Sequence, residues 1–212
     1  MIPLNNMSSL ITRKHIGLVA AVTPIWFVVV YSIMSSLRPD YSHLHRAISE
    51  LGALDAPYHW YWNVFGYVLP GLAIAALGIA LRAEFGSHSA IPSYALVLSG
   101  LFMTLSGVFP ADMQHRDSLT TTLHLVGAFG SYVAFLVASI GYPAIFWSKS
   151  AWRSLAWVTL ILAIASIALG FLRHGSVPGL GQRITFACYF LWISLVAYRL
   201  YRKSTQSLLN ES

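Results

Sequence analysis

Apolar residues in this chain gather into long runs instead of alternating with polar ones, and short clusters of Gly, Pro, Ser or charged residues bound each run. A helix rises about 1.5 Å per residue, so roughly 20 apolar residues cross a hydrocarbon layer about 30 Å thick. Six runs are long enough, at approximately 16–37, 60–81, 91–109, 119–147, 154–172 and 183–201. The fourth exceeds the need and begins at Asp117-Ser118, which reads as a helix N-cap. The second carries Pro70-Gly71 near its centre, where a kink is expected. The first is uncharged and lacks a small-residue cleavage site, so it is expected to stay in the membrane and not leave as a signal peptide. No internal repeat or low-complexity tract interrupts the pattern. The expectation is one all-α domain over 1–212, a polytopic bundle of six transmembrane helices.

Composition agrees. Of 212 residues, 57% are hydrophobic and 9% charged, with mean hydropathy +0.65. A soluble domain carries about 25% charged residues, so a soluble, disordered or disulfide-stapled secreted chain is excluded. The one cysteine, Cys188, can form neither an internal disulfide nor a cysteine metal cluster and reads as a packing residue. A net charge of +6 and a pI near 9.6 resemble a nucleic-acid signature until the charges are placed. Arg13, Lys14, Arg82, Lys149, Arg153, Arg199, Arg202 and Lys203 fall on one side, against Glu84 and Glu211. On the other side Arg38, Arg46, Arg116, Arg173 and Arg183 are balanced by Asp40, Glu50, Asp55, Asp112 and Asp117. The whole net charge therefore lies on one face, which puts both termini in the cytoplasm. The basic side attracts anionic lipid; nucleic acid is not an expected partner.

The opposite, outward side holds six of the eight histidines, namely His43, His45, His59, His115, His124 and His174. Ionisable groups near a bilayer are costly and face a cavity or each other, so a site, if present, opens outward. Three stretches build that face: residues 41–52, residues 107–124 and residues 173–183. Within them, Ile48-Ser49-Glu50-Leu51-Gly52, Gly107-Val108-Phe109-Pro110-Ala111-Asp112 followed by His124, and Gly179-Leu180-Gly181-Gln182-Arg183 resemble a bacterial family. It is the family of six-helix membrane proteins catalogued as domain of unknown function 998. The resemblance runs from the first helix to the last. It implies a compact bundle in the bacterial cytoplasmic (inner) membrane and supplies no reaction.

The residues themselves offer several chemistries. His115, His124, Asp112 and His174 are candidate zinc ligands, since histidine nitrogens and carboxylates suit that ion. The alternative is interfacial histidines bonded to loops and headgroups. His124 lies three and four residues after Thr121 and Thr120, so a hydroxyl–histidine pair is available for nucleophilic catalysis, with Asp112 or Asp117 orienting the ring. The plainer reading is a histidine hydrogen-bonded between helices. Glu50 and Asp112 are candidate acid–base groups or members of a salt-bridge network with Arg46, Arg173 and Arg183. Arg46, Arg173, Gln182 and Arg183 are candidate ligands for an anionic or lipid-linked group, or neutralise the two acids. His59 and His124 are also candidate axial ligands for one haem. Tyr58, Trp60, Tyr61 and Trp62 at the outer side, and Phe146, Trp147 and Trp152 at the inner, read as interfacial belts.

Together these suggest a membrane-embedded hydrolase or transferase acting on a lipid or lipid-linked substrate at the outer leaflet. His124, Asp112 and Glu50 would be its catalytic residues and zinc an optional cofactor. Intramembrane hydrolases that bind zinc are similar in outline only. The competing expectation is a non-catalytic protein that binds or transports a lipid or small ligand, or senses pH through its histidines.

Overall fold

A computed structural model describes residues 4–210, with side chains described from Met7 onward apart from that of Arg173. Glu211 and the Arg173 side chain thus lie outside the described residues. Among those described there is no strand. The helices are α1 (Leu4–Ser36), α2 (His59–Trp62), α3 (Leu69–Phe85), α4 (Ala90–Val108), α5 (Leu119–Trp147), α6 (Arg153–Gly170) and α7 (Pro178–Leu209). Five helical stretches are long and apolar enough to cross a membrane: Met7–Ser36, His59–Val108, Leu119–Trp147, Ser150–Gly170 and Pro178–Leu209.

The 50-residue stretch His59–Val108 is a hairpin. It reverses at Gly86, whose φ of 70° suits a residue without a Cβ. Its arms, α3 and α4, then pack antiparallel at backbone distance. A Cβ on Gly100 would come within 2.3 Å of Gly71 O and 2.5 Å of Ala75 N. Small residues at such a crossing are what helix association in lipid requires. Pro70 does not break this arm. Lacking an N–H, it cannot bond Gly66 O, and the chain instead widens into a π-helical turn, Asn63–Val68, just ahead of it. α5 occupies the expected 119–147, and the Ser118 side chain accepts from Thr121 N as its N-cap. α1 and α7 are longer than their apolar runs because ion pairs at their polar ends hold the extra turns.

Those pairs meet at Glu84, whose side chain is buried: Arg13 Nη1 lies 2.7 Å away, and Lys203 Nζ bonds the other oxygen. They tie α1, α3 and α7 together at one end of the bundle. At the other end the segment 37–58 is folded around two arginines. Buried Arg38 donates to Glu50 O at 2.6 Å and pairs with Asp40 and Asp55; Arg46 pairs with Asp40 at 2.9 Å and with Glu50 at 3.3 Å.

The belt expectation fails for three of its seven residues. Tyr58, Trp60, Tyr61 and Trp147 are exposed, but Trp62, Phe146 and Trp152 are fully buried. A ring with no accessible surface cannot touch lipid. Phe146 stacks on Trp152 and Tyr142, at 5.3 and 5.0 Å between centroids, and these are core residues.

Candidate functional site

A cavity of about 320 Å³ lies at the end opposite Glu84, among the π-helical turn, α4, α5 and α7. Met103, Leu125, Ala128, Phe129 and Phe186 make it mostly apolar; Ser49, Tyr67, Ser106, His124, Gln182 and Thr185 supply polar atoms, and no charged side chain lines it among the described residues. Each of the three stretches singled out above contributes one residue: Ser49, His124 and Gln182. The 3-10 turn Ile48–Gly52 carries Ser49 and is held from both sides. Gln182 Oε1 accepts from Ile48 N at 2.5 Å, and Asn63 Nδ2 donates to Gly52 O at 2.8 Å. Gly52 is needed there, since a Cβ would meet Asn63 Oδ1 at 2.3 Å and Trp62 Cδ1 at 2.5 Å. Gly179 is needed likewise, since a Cβ there would lie 2.5 Å from Arg46 O.

His124 is fixed by the proline of its own motif. In an α-helix Ser106 O would accept from the N–H four residues on, but that residue is Pro110, which has none. Pro110 also holds Phe109 extended, at φ −112° and ψ 92°, so α4 ends there. The buried His124 ring takes over the vacant acceptors: Nδ1 lies 2.9 Å from Ser106 O and 3.1 Å from Phe109 O. Carbonyls only accept, so Nδ1 carries a proton, and in a neutral ring Nε2 then keeps its lone pair. The Ser106 hydroxyl returns a bond to His124 O at 3.0 Å, locking α4 to α5.

The other candidates serve the protein's own backbone. Thr120 donates to Pro110 O and Thr121 to Asp112 O, so neither hydroxyl pairs with His124. Asp112 lies outside the cavity. Its Oδ1 accepts from Gln114 N and His115 N, and its Oδ2 lies 3.2 Å from His115 Nδ1. The backbone N–H of His115 above all, with those of Gln114 and the His115 ring, holds this carboxyl below the usual aspartate range against partial desolvation. Glu50 caps its own turn through Ala47 N at 2.8 Å and pairs with Arg46, not Arg183. Arg183 donates to Tyr31 Oη, Arg46 O, Gly179 O and Tyr41 Oη. Burial pushes the Tyr41 hydroxyl well above its ordinary value despite Arg183 beside it, so Tyr41 stays protonated and donates to Ala47 O.

The proposed metal set is therefore not assembled. His115 and Asp112 meet each other at the surface, His124 turns Nδ1 to carbonyls, and the His174 ring lies against Phe171. Among the described residues no three of His, Cys, Asp and Glu could hold a metal ion. Among the described residues the cavity presents one histidine among neutral groups. His59 packs on Trp60 and does not line the cavity, which leaves no facing pair for haem. Sequence reasoning passed over Tyr67, Ser106 and Thr185, which sit inside apolar runs; the unusual spacing of Gly66 and Pro70 was the available hint of the turn that positions Tyr67.

Comparisons with curated proteins and with solved structures find no match. The family model described as Protein of unknown function (DUF998) does match, over residues 21–199, which takes in all three motifs and every residue of the cavity, and the chain belongs to that family.

Proposed function

We propose that this protein binds a lipid-like amphiphile whose hydrogen-bonding head enters the His124 cavity from the membrane. In this reading the His59–Val108 hairpin crosses twice, making six crossings of a bacterial inner membrane with both termini cytoplasmic. Two features support that count: Glu84 ties α1, α3 and α7 at the end that bears the net positive charge, and the hairpin reverses at Gly86 on the same side. The cavity then lies in the outer half.

The observation that carries the reading is the cavity wall on α5. Leu125 and Phe129 line the cavity and are 58% and 65% exposed on a helix long and apolar enough to span, so the cavity opens where lipid lies. His124 Nε2 presents an acceptor there, and Tyr67 and Gln182 can donate; no charged group demands a counterion. A ligand with a hydroxyl or carbonyl head and a hydrocarbon tail satisfies both halves.

A second reading, a hydrolase or transferase acting on such a lipid, is favoured by one feature. A neutral imidazole held through Nδ1 by fixed carbonyls is how a general base is oriented.

Photolabelling in lipid nanodiscs with a diazirine-tailed diacylglycerol tests the proposal. Label should concentrate on residues 125–132 and 185–189, and Ala128→Trp, which fills the cavity, should abolish it with the melting temperature retained. Equal labelling of that variant, or label spread over every exposed helix, refutes ligand entry. Conversion of the diacylglycerol by wild type and not by His124→Phe would select the enzyme reading.

A further inference from the structure

Phe186 lines the cavity and also a second hollow, a groove of about 500 Å³ between α1 and α7. It runs from Tyr31, Ile48 and Arg183 down to Pro24 and Ser194. Its floor is the buried Phe27–Phe190 pair, 4.5 Å between centroids; exposed Val28 and Leu191 stand on its rims. The hydroxyls of Ser32 and Ser194 donate to Val28 O and Ala21 O, so below its head the groove is mostly hydrocarbon with neither hydroxyl proton free. From Arg183 to Ser194 α7 rises about 16 Å, close to half of a hydrocarbon layer about 30 Å thick. The groove is one leaflet deep.

At its head the Arg183 guanidinium lies over both Tyr31 and Tyr41, 5.5 and 5.4 Å from the ring centroids. Every oxygen it bonds is neutral: two tyrosine hydroxyls and two backbone carbonyls. Those four bonds leave one of its five N–H groups, on Nη2, without a partner among the described residues. The neighbouring carboxylates are turned elsewhere: Asp40, Glu50 and Asp55 pair with Arg38 and Arg46. A full positive charge with no carboxylate in contact therefore caps an apolar groove of acyl-chain length.

We infer that the α1–α7 groove is a binding site for an anionic phospholipid, with its phosphate at Arg183 and one acyl chain along Phe27 and Phe190. Charge selects the headgroup. A zwitterionic lipid brings the same phosphate, but its ammonium finds no unpaired carboxylate, since those of the adjoining segment are engaged. The site shares only the Phe186 wall with the His124 cavity and does not depend on what that cavity binds.

Delipidated protein in neutral detergent, offered equimolar phosphatidylglycerol and phosphatidylcholine, should retain one phosphatidylglycerol per chain in native mass spectra, at five-fold or greater preference. Arg183→Gln should abolish the preference. That variant also loses four internal bonds and could misfold, so Ala187→Trp is measured beside it. Ala187 is exposed and lines the groove. Tryptophan there obstructs the acyl path without touching Arg183 and should lower retention of either lipid at least five-fold at unchanged melting temperature. Equal retention of the two lipids, or full retention by Ala187→Trp, overturns the proposal. Displacement of the lipid by millimolar inorganic phosphate alone would also overturn it, by showing an anion site without a lipid groove.

Discussion

His124 and Pro110 form a matched pair, and a double-mutant cycle can measure the match. His124→Phe keeps a ring of similar size but deletes the Nδ1–H, so Ser106 O loses a donor at 2.9 Å and Phe109 O one at 3.1 Å. Stranding a buried polar group costs about 1–3 kcal/mol. Ser106 is only 2% exposed and bears most of this, while Phe109 is less buried, so the expected loss is about 2 kcal/mol. Pro110→Ala supplies the N–H that Ser106 O lacks and frees Phe109 to become helical. In that background His124→Phe should cost less, with a coupling of about 1 kcal/mol. Unfolding of the four proteins in mixed micelles, followed by tryptophan fluorescence, gives the cycle. Losses that add within about 0.3–0.5 kcal/mol would show that the ring does not replace the missing backbone donor.

Two further outcomes follow from the opposite ends of the bundle. Glu84→Gln leaves Arg13 and Lys203 facing a neutral amide; because the carboxylate is buried but Lys203 partly solvated, the loss should be about 2–3 kcal/mol, below the cost of breaking a fully buried pair, and read in the same unfolding assay. Asp112 titrates with a folded value below its ordinary 3.8, so its stabilising effect is complete above that value and fades as pH falls through the folded one. An acid unfolding curve below pH 3.8 should therefore be shallower for Asp112→Asn than for wild type, and identical curves would place the acid sensitivity elsewhere.

The helices were legible because in lipid every backbone group must be bonded internally, so apolar run length maps directly onto helix length. The correspondence is tightest at Leu119–Trp147, where Ser118 caps visibly. It fails at α1 and α7, whose polar turns are held by Glu84, a residue far away in sequence. Hydropathy also smoothed over the π-helical turn, which arises from one missing N–H at Pro70. For the site, the three stretches did converge, but of the titratable residues within them only His124 lines the cavity. Glu50 and Asp112 occupy the backbone they come from, and Arg183 bonds Tyr31, Tyr41 and Arg46 across the bundle, whereas Ser49, His124 and Gln182 face the space between helices. Charge predicts cost in a membrane; it does not say whether a local turn already meets that cost.

The α1–α7 contact bears on how the protein is made. α1 packs chiefly on α7. The two approach so closely at Gly17 that a Cβ there would lie 2.8 Å from Tyr201 N. Their ends are joined by the Glu84 pairs and by Arg183 on Tyr31. During synthesis α1 is inserted long before α7 leaves the ribosome, so its inner face must wait against lipid or insertion machinery while the hairpin, α5 and α6 are laid down. Closure of the bundle against α7 is then a late event. Truncations before Arg183 should yield chains that insert yet remain open to proteolysis along α1, and both hollows flanking α7 come into being only with that final docking.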